Sequence, residues 1–75
     1  MHYHLNIREI AGLICDDEGG EFATLEAARD EARASMRDLM MDDLRGAGCV
    51  QERQIEITDH RGAVLDSIGI SLALR

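Results

Sequence analysis

The side chains best suited to chemistry in this sequence are three histidines and two cysteines, set among fifteen carboxylates. His2 and His4 alternate with apolar residues, so both would project from one face of a strand with their Cβ atoms about 7 Å apart. Two imidazoles at that separation can bind one metal ion, with His60 or Glu56 as a third ligand. Two histidines on the polar face of a strand are more often part of an ordinary solvated surface. A small metal- or ligand-binding protein that uses the His2/His4 face is therefore the alternative, and not the favoured, interpretation.

Neither cysteine has the surroundings of a catalytic nucleophile. Cys15 and Cys49 have no histidine at a telling spacing, and the sequence contains no phosphate-binding loop and no Cys-x-x-Cys pair. A chain of 75 residues also has little room to enclose a substrate pocket of ordinary volume. The sequence therefore predicts a protein that is not an enzyme and that uses no cofactor.

The most acidic stretch, residues 16–21, carries four carboxylates in six residues but lacks the spacing of a calcium loop. Placing Gly20 at the sixth position of that loop puts Cys15 at the first, and placing Gly19 there puts Ile14 at the first, where calcium needs a carboxylate. We expect a solvated loop whose negative charge lies near the positive end of the helix that follows.

The element around which the rest of the chain is organised is a helix predicted between Thr24 and Arg45. Thr24 is a suitable N-cap, and glycines end the pattern at 46 and 48. Asp43 falls near the middle of the apolar arc, which indicates that the helix has left the sheet or ended by that point. The apolar side chains recur at three- and four-residue spacing within an arc about 120° wide, and they are Leu25, Ala28, Ala32, Met36, Leu39 and Met40.

A row of arginines beside the apolar stripe, Arg29, Arg33 and Arg37, is spaced by four residues. The row would form an anion-binding ridge, or its stems would cover the sheet edge while Glu26 and Asp30 pair with two of the arginines. The second interpretation is favoured. Because the angle of Arg29 lies inside the apolar arc, we predict that its head reaches back to a carboxylate of the acidic loop, either Asp17 or Glu18.

Alternating residues predict four strands around this helix, at residues 1–8, 13–15, 53–58 and 63–68. A helical crossover from the second strand to the third gives the sheet order 2-1-3-4, all antiparallel. The predicted fold class is α+β: a two-layer ββαββ arrangement with one long helix packed on a four-stranded antiparallel sheet, as a single domain over residues 1–75. The sheet face away from the helix would present His2, His4, Asn6, Gln54, Glu56 and Thr58.

The tail alternates again at Ile70, Leu72 and Leu74. It is too apolar for a loose end, so we expect it to pack over an open side of the sheet or to add to the edge of a neighbouring subunit.

Charge and size restrict the partners. A net charge of −7 opposes a broad contact with nucleic acid or with an anionic membrane surface. The N-terminus lacks a signal-peptide pattern and no apolar run is long enough to span a bilayer, so a reduced cytoplasmic setting is expected. A core of this size supplies only about 3–5 kcal/mol of stability, and a second subunit is a common remedy. An acidic, cytoplasmic homodimer, or a protein that binds another protein, is predicted.

Several runs of residues are similar to a known family: Asp17-Glu18-Gly19, Leu25-Glu26-Ala27-Ala28-Arg29 with Glu31-Ala32, and Ile55-Glu56-Ile57-Thr58-Asp59 with Gly62 and Leu65. On these runs the sequence resembles a family of small bacterial proteins, seen mostly in soil-dwelling alphaproteobacteria and known only as a domain of unknown function. The resemblance extends over nearly the whole chain. The resemblance implies a compact unit of the α+β class and brings no catalytic residue with it.

The function favoured by these observations is a non-enzymatic protein-interaction or regulatory module that self-associates. Its contact surface would be the polar sheet face or the apolar tail.

Overall fold

One long helix covers one face of an antiparallel sheet in this protein, as described for residues 1–74 by a computed structural model. The α+β class predicted from the sequence is thereby confirmed. The elements in chain order are β1 (His2–Glu9), β2 (Gly12–Ile14), β3 (Gly20–Glu21), α1 (Leu25–Gly46), β4 (Arg53–Thr58), β5 (Val64–Gly69) and α2 (Ile70–Ala73).

The sheet has the order β2-β1-β4-β5, which is the order predicted for the four longer strands. The predicted count of four strands is wrong, because β3 pairs with the start of β1 as a fifth strand, in the register Tyr3 opposite Gly20. Two residues inside a glycine-rich acidic run have no alternating apolar pattern, so the sequence gives no strand signal there. The pairs Ile7–Ile14 and Leu5–Ile57 set the register of β1 against β2 and β4.

The long helix begins where the sequence predicts. The Thr24 hydroxyl accepts the backbone N–H of Ala27 at 3.0 Å, which satisfies one of the free N–H groups of the first turn. Ala28 and Ala32 are fully buried, and their small side chains bring the helix close to the sheet. The buried hydrophobic core consists of Tyr3, Ala28, Ala32, Met36, Ile55, Ile57, Ile68 and Ala73.

The helix does not leave the sheet at Asp43, contrary to the sequence interpretation. It continues to Gly46, and Asp43 is 8% exposed on its inner face. An arginine from the start of β4, Arg53, pairs with the carboxylate and allows a charge to lie where an apolar residue was expected.

The tail is a helical turn, and its alternating apolar residues do not form a strand. α2 contacts α1 and β5, Ala73 is buried, and Ile70 and Leu72 pack partly against the core. One helical turn places Ile70 and Ala73, three residues apart, on the same side, which alternation would not do. Leu74 is 68% exposed. None of the helices in residues 1–74 is apolar and long enough to span a membrane.

Candidate interaction surface

Three of the nine exposed large apolar side chains in the described part of the chain lie in the hairpin of β1 and β2. Ile10 in its turn is 94% exposed, and Leu13 and Ile14 on β2 are 41% and 54% exposed. We call these three residues the hairpin patch. The run from residue 10 to residue 15 carries no charged side chain, although the chain has a net charge of −7. The hairpin patch is therefore an uncharged apolar surface on an acidic protein.

The hairpin patch is exposed because β2 lies outside the area that the helix covers. Ile14 pairs with Ile7 and Leu13 with Arg8, so Ile14 and Leu13 project from opposite faces of the sheet. α1 packs on β1, β4 and β5. In the described chain, β2 has β1 as its one strand neighbour, so its other edge is open to a further strand.

The opposite edge of the sheet is blunted. The backbone N–H of Ser67 on β5 donates to the neighbouring carboxylate of Asp66 at 2.8 Å, so that amide is not offered to another strand. Directly after Gly69 the chain turns into α2.

The polar sheet face, predicted as a contact surface, is occupied largely by its own side chains. Arg8 Nε donates to Glu56 Oε2 at 2.7 Å, and Ser67 Oγ donates to Gln54 Oε1 at 2.9 Å. Among residues 1–74, no buried side-chain nitrogen or oxygen lacks a hydrogen-bond partner. Several polar side chains of this face therefore bond to one another.

His2 and His4 hold the segment that joins β2 to β3. His2 Nδ1 lies 2.8 Å from Glu21 Oε1, and His2 Nε2 lies 2.8 Å from the carbonyl oxygen of Glu18. His4 Nδ1 lies 2.6 Å from the carbonyl oxygen of Asp16. The two rings meet edge to face with centroids 5.2 Å apart. We call the contacts of His2 with Glu21 and Glu18 the His2 bridge.

These contacts leave little room for the metal site considered from the sequence. Both nitrogens of His2 already face oxygen atoms, and Glu56, the suggested third ligand, is bound to Arg8. Within the described part of the chain, no group of three or more His, Cys, Asp or Glu side chains is arranged to hold a metal ion.

Asp16 fills the gap on β1 between the residues that pair with β3 and those that pair with β2. Its Oδ2 accepts the backbone N–H of Leu5 at 3.2 Å, and its Oδ1 accepts that of Gly19 at 3.2 Å. Its own N–H donates to Asn6 Oδ1 at 2.8 Å. The acidic loop is thus a structural connection, while the side chains of Asp17 and Glu18 are exposed.

Arg29 does not reach the acidic loop, and the predicted pairing with Asp17 or Glu18 is wrong. Its Nε donates to Asp66 Oδ2 at 2.6 Å and its Nη1 to Glu26 Oε2 at 3.1 Å. This flank of the helix faces β5, which is at the far side of the sheet from the loop. The guanidinium of Arg29 is the main reason that the pKa of Asp66 is lowered.

The other arginines of the row have mixed partners. Arg33 Nη1 donates to Asp30 at 2.7 Å and to Glu26 at 3.3 Å, which confirms the predicted pairing of Glu26 and Asp30 with the row. Arg37 Nη1 donates to the carbonyl oxygen of Ala73 at 3.1 Å. Arg33, Arg37, Asp30 and Leu72 line a groove of about 470 Å³.

The most buried ion pair among the described residues was not predicted. Arg53 is 14% exposed, pairs with Asp43 and donates from Nε to Glu9 Oε2 at 3.0 Å. The Asp43 carboxylate also accepts the backbone N–H of Gln51 at 3.0 Å. Arg53, followed by the Gln51 N–H, holds the pKa of Asp43 below its ordinary value. We call Arg53, Asp43 and Glu9 the Arg53 triad; Asp43 inside the apolar arc was its signal in the sequence.

A comparison with known proteins gives one match. A family model described as Domain of unknown function (DUF6894) matches residues 2–71, which is nearly the whole chain. No curated protein and no solved structure matches the chain.

Proposed function

Since the chain belongs to the DUF6894 family, a domain of unknown function, we propose from its own surfaces that it is a non-enzymatic protein-interaction or regulatory module that associates with a second copy of itself. The family resemblance drawn from the sequence is confirmed by the match, while a bacterial origin stays a prediction. The observation that carries the proposal is the open, uncharged edge of β2 with the hairpin patch beside it.

The proposed contact is an antiparallel pairing of β2 with β2 of a second copy. A two-fold axis through Leu13 would place Leu13 opposite its own equivalent and Gly12 opposite Ile14. The free backbone groups of the two edges would bond to each other, and Leu13 and Ile14 would cover apolar surface on the two faces of the joined sheet. A two-fold contact of this type needs only one surface on each chain.

Three features favour a second copy over a different partner. The run from residue 10 to residue 15 carries no charge, so two chains of net charge −7 can meet there without placing like charges opposite each other. Of the eight buried hydrophobic residues, three are alanines, so the core within one chain is small and further burial would add stability. On the β5 edge the Ser67 amide is already bonded to Asp66, whereas the β2 edge has no strand neighbour beyond β1 among the described residues.

The net charge supports a protein partner in a cytoplasmic setting over nucleic acid or an anionic membrane, because both of these repel an acidic surface. The non-enzymatic character is supported by the polar groups of the sheet face and of the acidic loop, which bond to one another.

Cysteine cross-linking tests the register directly. In a chain that carries Cys15→Ser and Cys49→Ser, Leu13→Cys should give a disulfide-linked dimer under mild oxidation, because residues opposite each other in an antiparallel pair have Cα atoms about 4.5–5.5 Å apart. Leu65→Cys in the same background is the matched control, since Leu65 has nearly the same exposure as Leu13, 43% against 41%, but lies on β5. It should form no disulfide-linked dimer.

Sedimentation of the unmodified chain completes the test. We expect a concentration-dependent dimer that Leu13→Lys abolishes and Leu65→Lys leaves intact. A wild-type chain that sediments as a monomer at every concentration would overturn the proposal. A dimer that survives Leu13→Lys would place the interface elsewhere.

A further inference from the structure

Residues 15–19 are held on β1 by side chains, and the two-residue strand β3 that follows adds the pairs Tyr3–Gly20 and His2–Glu21. One of these side chains belongs to His2, and histidine is the residue type whose ordinary pKa lies near neutral pH. We propose that the His2 bridge is a proton-dependent latch: with His2 protonated, the bridge fixes residues 17–20 against β1, and loss of that proton releases them. The inference concerns a single chain and does not depend on self-association.

The hydrogen-bond partners of His2 require the charged form of the ring. The Glu21 carboxylate and the Glu18 carbonyl are both acceptors, and each lies 2.8 Å from one ring nitrogen. A neutral imidazole carries one N–H, whereas the imidazolium carries two. Both contacts are therefore satisfied only when His2 is protonated, and deprotonation leaves a nitrogen lone pair facing an oxygen lone pair.

The backbone of the segment lies directly against the two histidine rings. A Cβ atom at Gly19 would lie 2.6 Å from His2 Nε2, 2.7 Å from the carbonyl oxygen of Tyr3 and 3.0 Å from His4 Cε1. Gly19 also has φ +68°, in the left-handed region that glycine adopts readily. Because there is no space between ring and backbone, a shift of the His2 ring moves the segment.

The charged groups around His2 define the pH range of the bridge. Glu21 on β3 supplies the negative charge, and the amino group of Met1 donates to its other oxygen at 3.3 Å. On β1, the His4 ring meets His2 edge to face and bonds to the Asp16 carbonyl. The bond to Glu21, followed by that to the Glu18 carbonyl, raises the pKa of His2. The bond from His2, followed by that from the Met1 amino group, lowers the pKa of Glu21.

The direction of the pH dependence follows from these two shifts. A raised pKa in the folded chain means that the His2 contribution is complete below the ordinary histidine pKa of about 6.5 and is lost as the pH rises through the folded value. The lowered pKa of Glu21 means that its contribution is lost as the pH falls through its own folded value. Between these limits the bridge is intact. Asp16 keeps its contacts with Leu5 and Asn6, so the release is confined to residues 17–20 and breaks the bond from the Gly19 N–H to Asp16 Oδ1.

Amide hydrogen exchange combined with histidine NMR tests the latch. The protection factors of the Gly19 and Gly20 amides, corrected for base catalysis of the intrinsic rate, should fall with the same midpoint as the His2 ring. The total fall should be about tenfold for each unit by which the His2 pKa is raised. Amides in the middle of β4, such as that of Ile57, should not change over this range.

Two variants and a control make the outcome decisive. His2→Gln should show low and pH-independent protection at Gly19, and Glu21→Gln should move the His2 midpoint towards its ordinary value. His60→Gln, at an exposed histidine in the turn between β4 and β5, should behave as wild type. Constant protection at Gly19 and Gly20 while His2 titrates would overturn the proposal. Wild-type behaviour of His2→Gln would overturn it as well.

Discussion

Both ends of β1 make ionic contacts with other parts of the protein, and these contacts differ in how far they are buried. At its last residue, Glu9 belongs to the Arg53 triad, where Arg53 and Asp43 are 14% and 8% exposed. At its first residue, His2 bonds to Glu21 and Glu18 with 41% of the His2 side chain exposed. The triad joins α1, β1 and β4, whereas the His2 bridge joins β1 to a short strand and a loop.

Burial and residue type separate the contact that supports the fold from the contact that responds to pH. An arginine stays charged at every physiological pH, so the triad keeps its positive member, and its burial makes the loss of one partner costly. A histidine titrates near neutrality, and an exposed pair contributes little to global stability. The first end of β1 can therefore open while the last end stays closed.

The largest effect should come from removing the arginine of the triad. Arg53→Ala should lower the free energy of unfolding by about 3 kcal/mol, because a charge at the helix–sheet junction loses its partner. Urea denaturation measures this change. Arg45→Ala, which breaks the exposed pair with Asp42, is the matched control and should lie within experimental error of wild type. Equal losses in the two variants would mean that burial does not distinguish the contacts.

The second-largest loss of stability should come from Asp16, which contacts β1 between its two ends. Asp16→Ala removes the acceptor of the Leu5 and Gly19 amides, and should cost about 1–2 kcal/mol at roughly 1 kcal/mol for each hydrogen bond. Denaturation measures the cost, and amide exchange at Leu5 should rise together with that at Gly19. Asp17→Ala, at an exposed neighbour, should change neither quantity.

The global free energy of unfolding and the protection of the Gly19 amide should depend on pH in different ranges. Because Arg53 lowers the pKa of Asp43, this carboxylate stabilises the fold above its unfolded pKa of about 4, and its contribution is lost as the pH falls through the lower folded value. Global unfolding should thus weaken in acid, and Arg53→Met should flatten that limb. From neutral to mildly alkaline pH, the global free energy of unfolding should stay nearly constant while Gly19 loses protection. A parallel fall of both quantities would contradict the comparison.

The smallest global effect should come from the exposed end. Glu21→Gln removes the charge beside His2 and should leave the urea midpoint nearly unchanged, because the side chain of Glu21 is 74% exposed. The His2 midpoint, followed by NMR, should nevertheless fall. A large loss of global stability in this variant would show that the His2 bridge is part of the fold's support.

Patterns that span several residues made most of the fold predictable. The helix from Thr24, the strand Arg53–Thr58 and the order of the four longer strands follow from periodicity, capping and a crossover rule, and all three agree with the structure. The pairing of Glu26 and Asp30 with the arginine row follows from spacing within one helix. Contacts between residues that are close in the sequence can therefore be predicted from the sequence alone.

Long-range pairings were the part that the sequence did not reveal. Arg29 had carboxylates available on two sides, and only the placement of β5 beside that flank of the helix selects Asp66. Asp43 signalled a break in the apolar pattern, but the partner that allows it to be buried lies ten residues further on, across a loop. The tail has four residues in its helix, too few for alternation to be told apart from a helical turn.

The asymmetry of the two sheet edges limits how many copies can add to one another. Strand addition that used both edges of a sheet would propagate from chain to chain and give fibrils. Here the amide of Ser67 is already bonded to Asp66, and β2 offers three residues before the chain turns away into the acidic loop. Under the proposed pairing of β2 with β2, growth should stop at a closed pair, and concentrated solutions of the protein should stay clear and free of filaments.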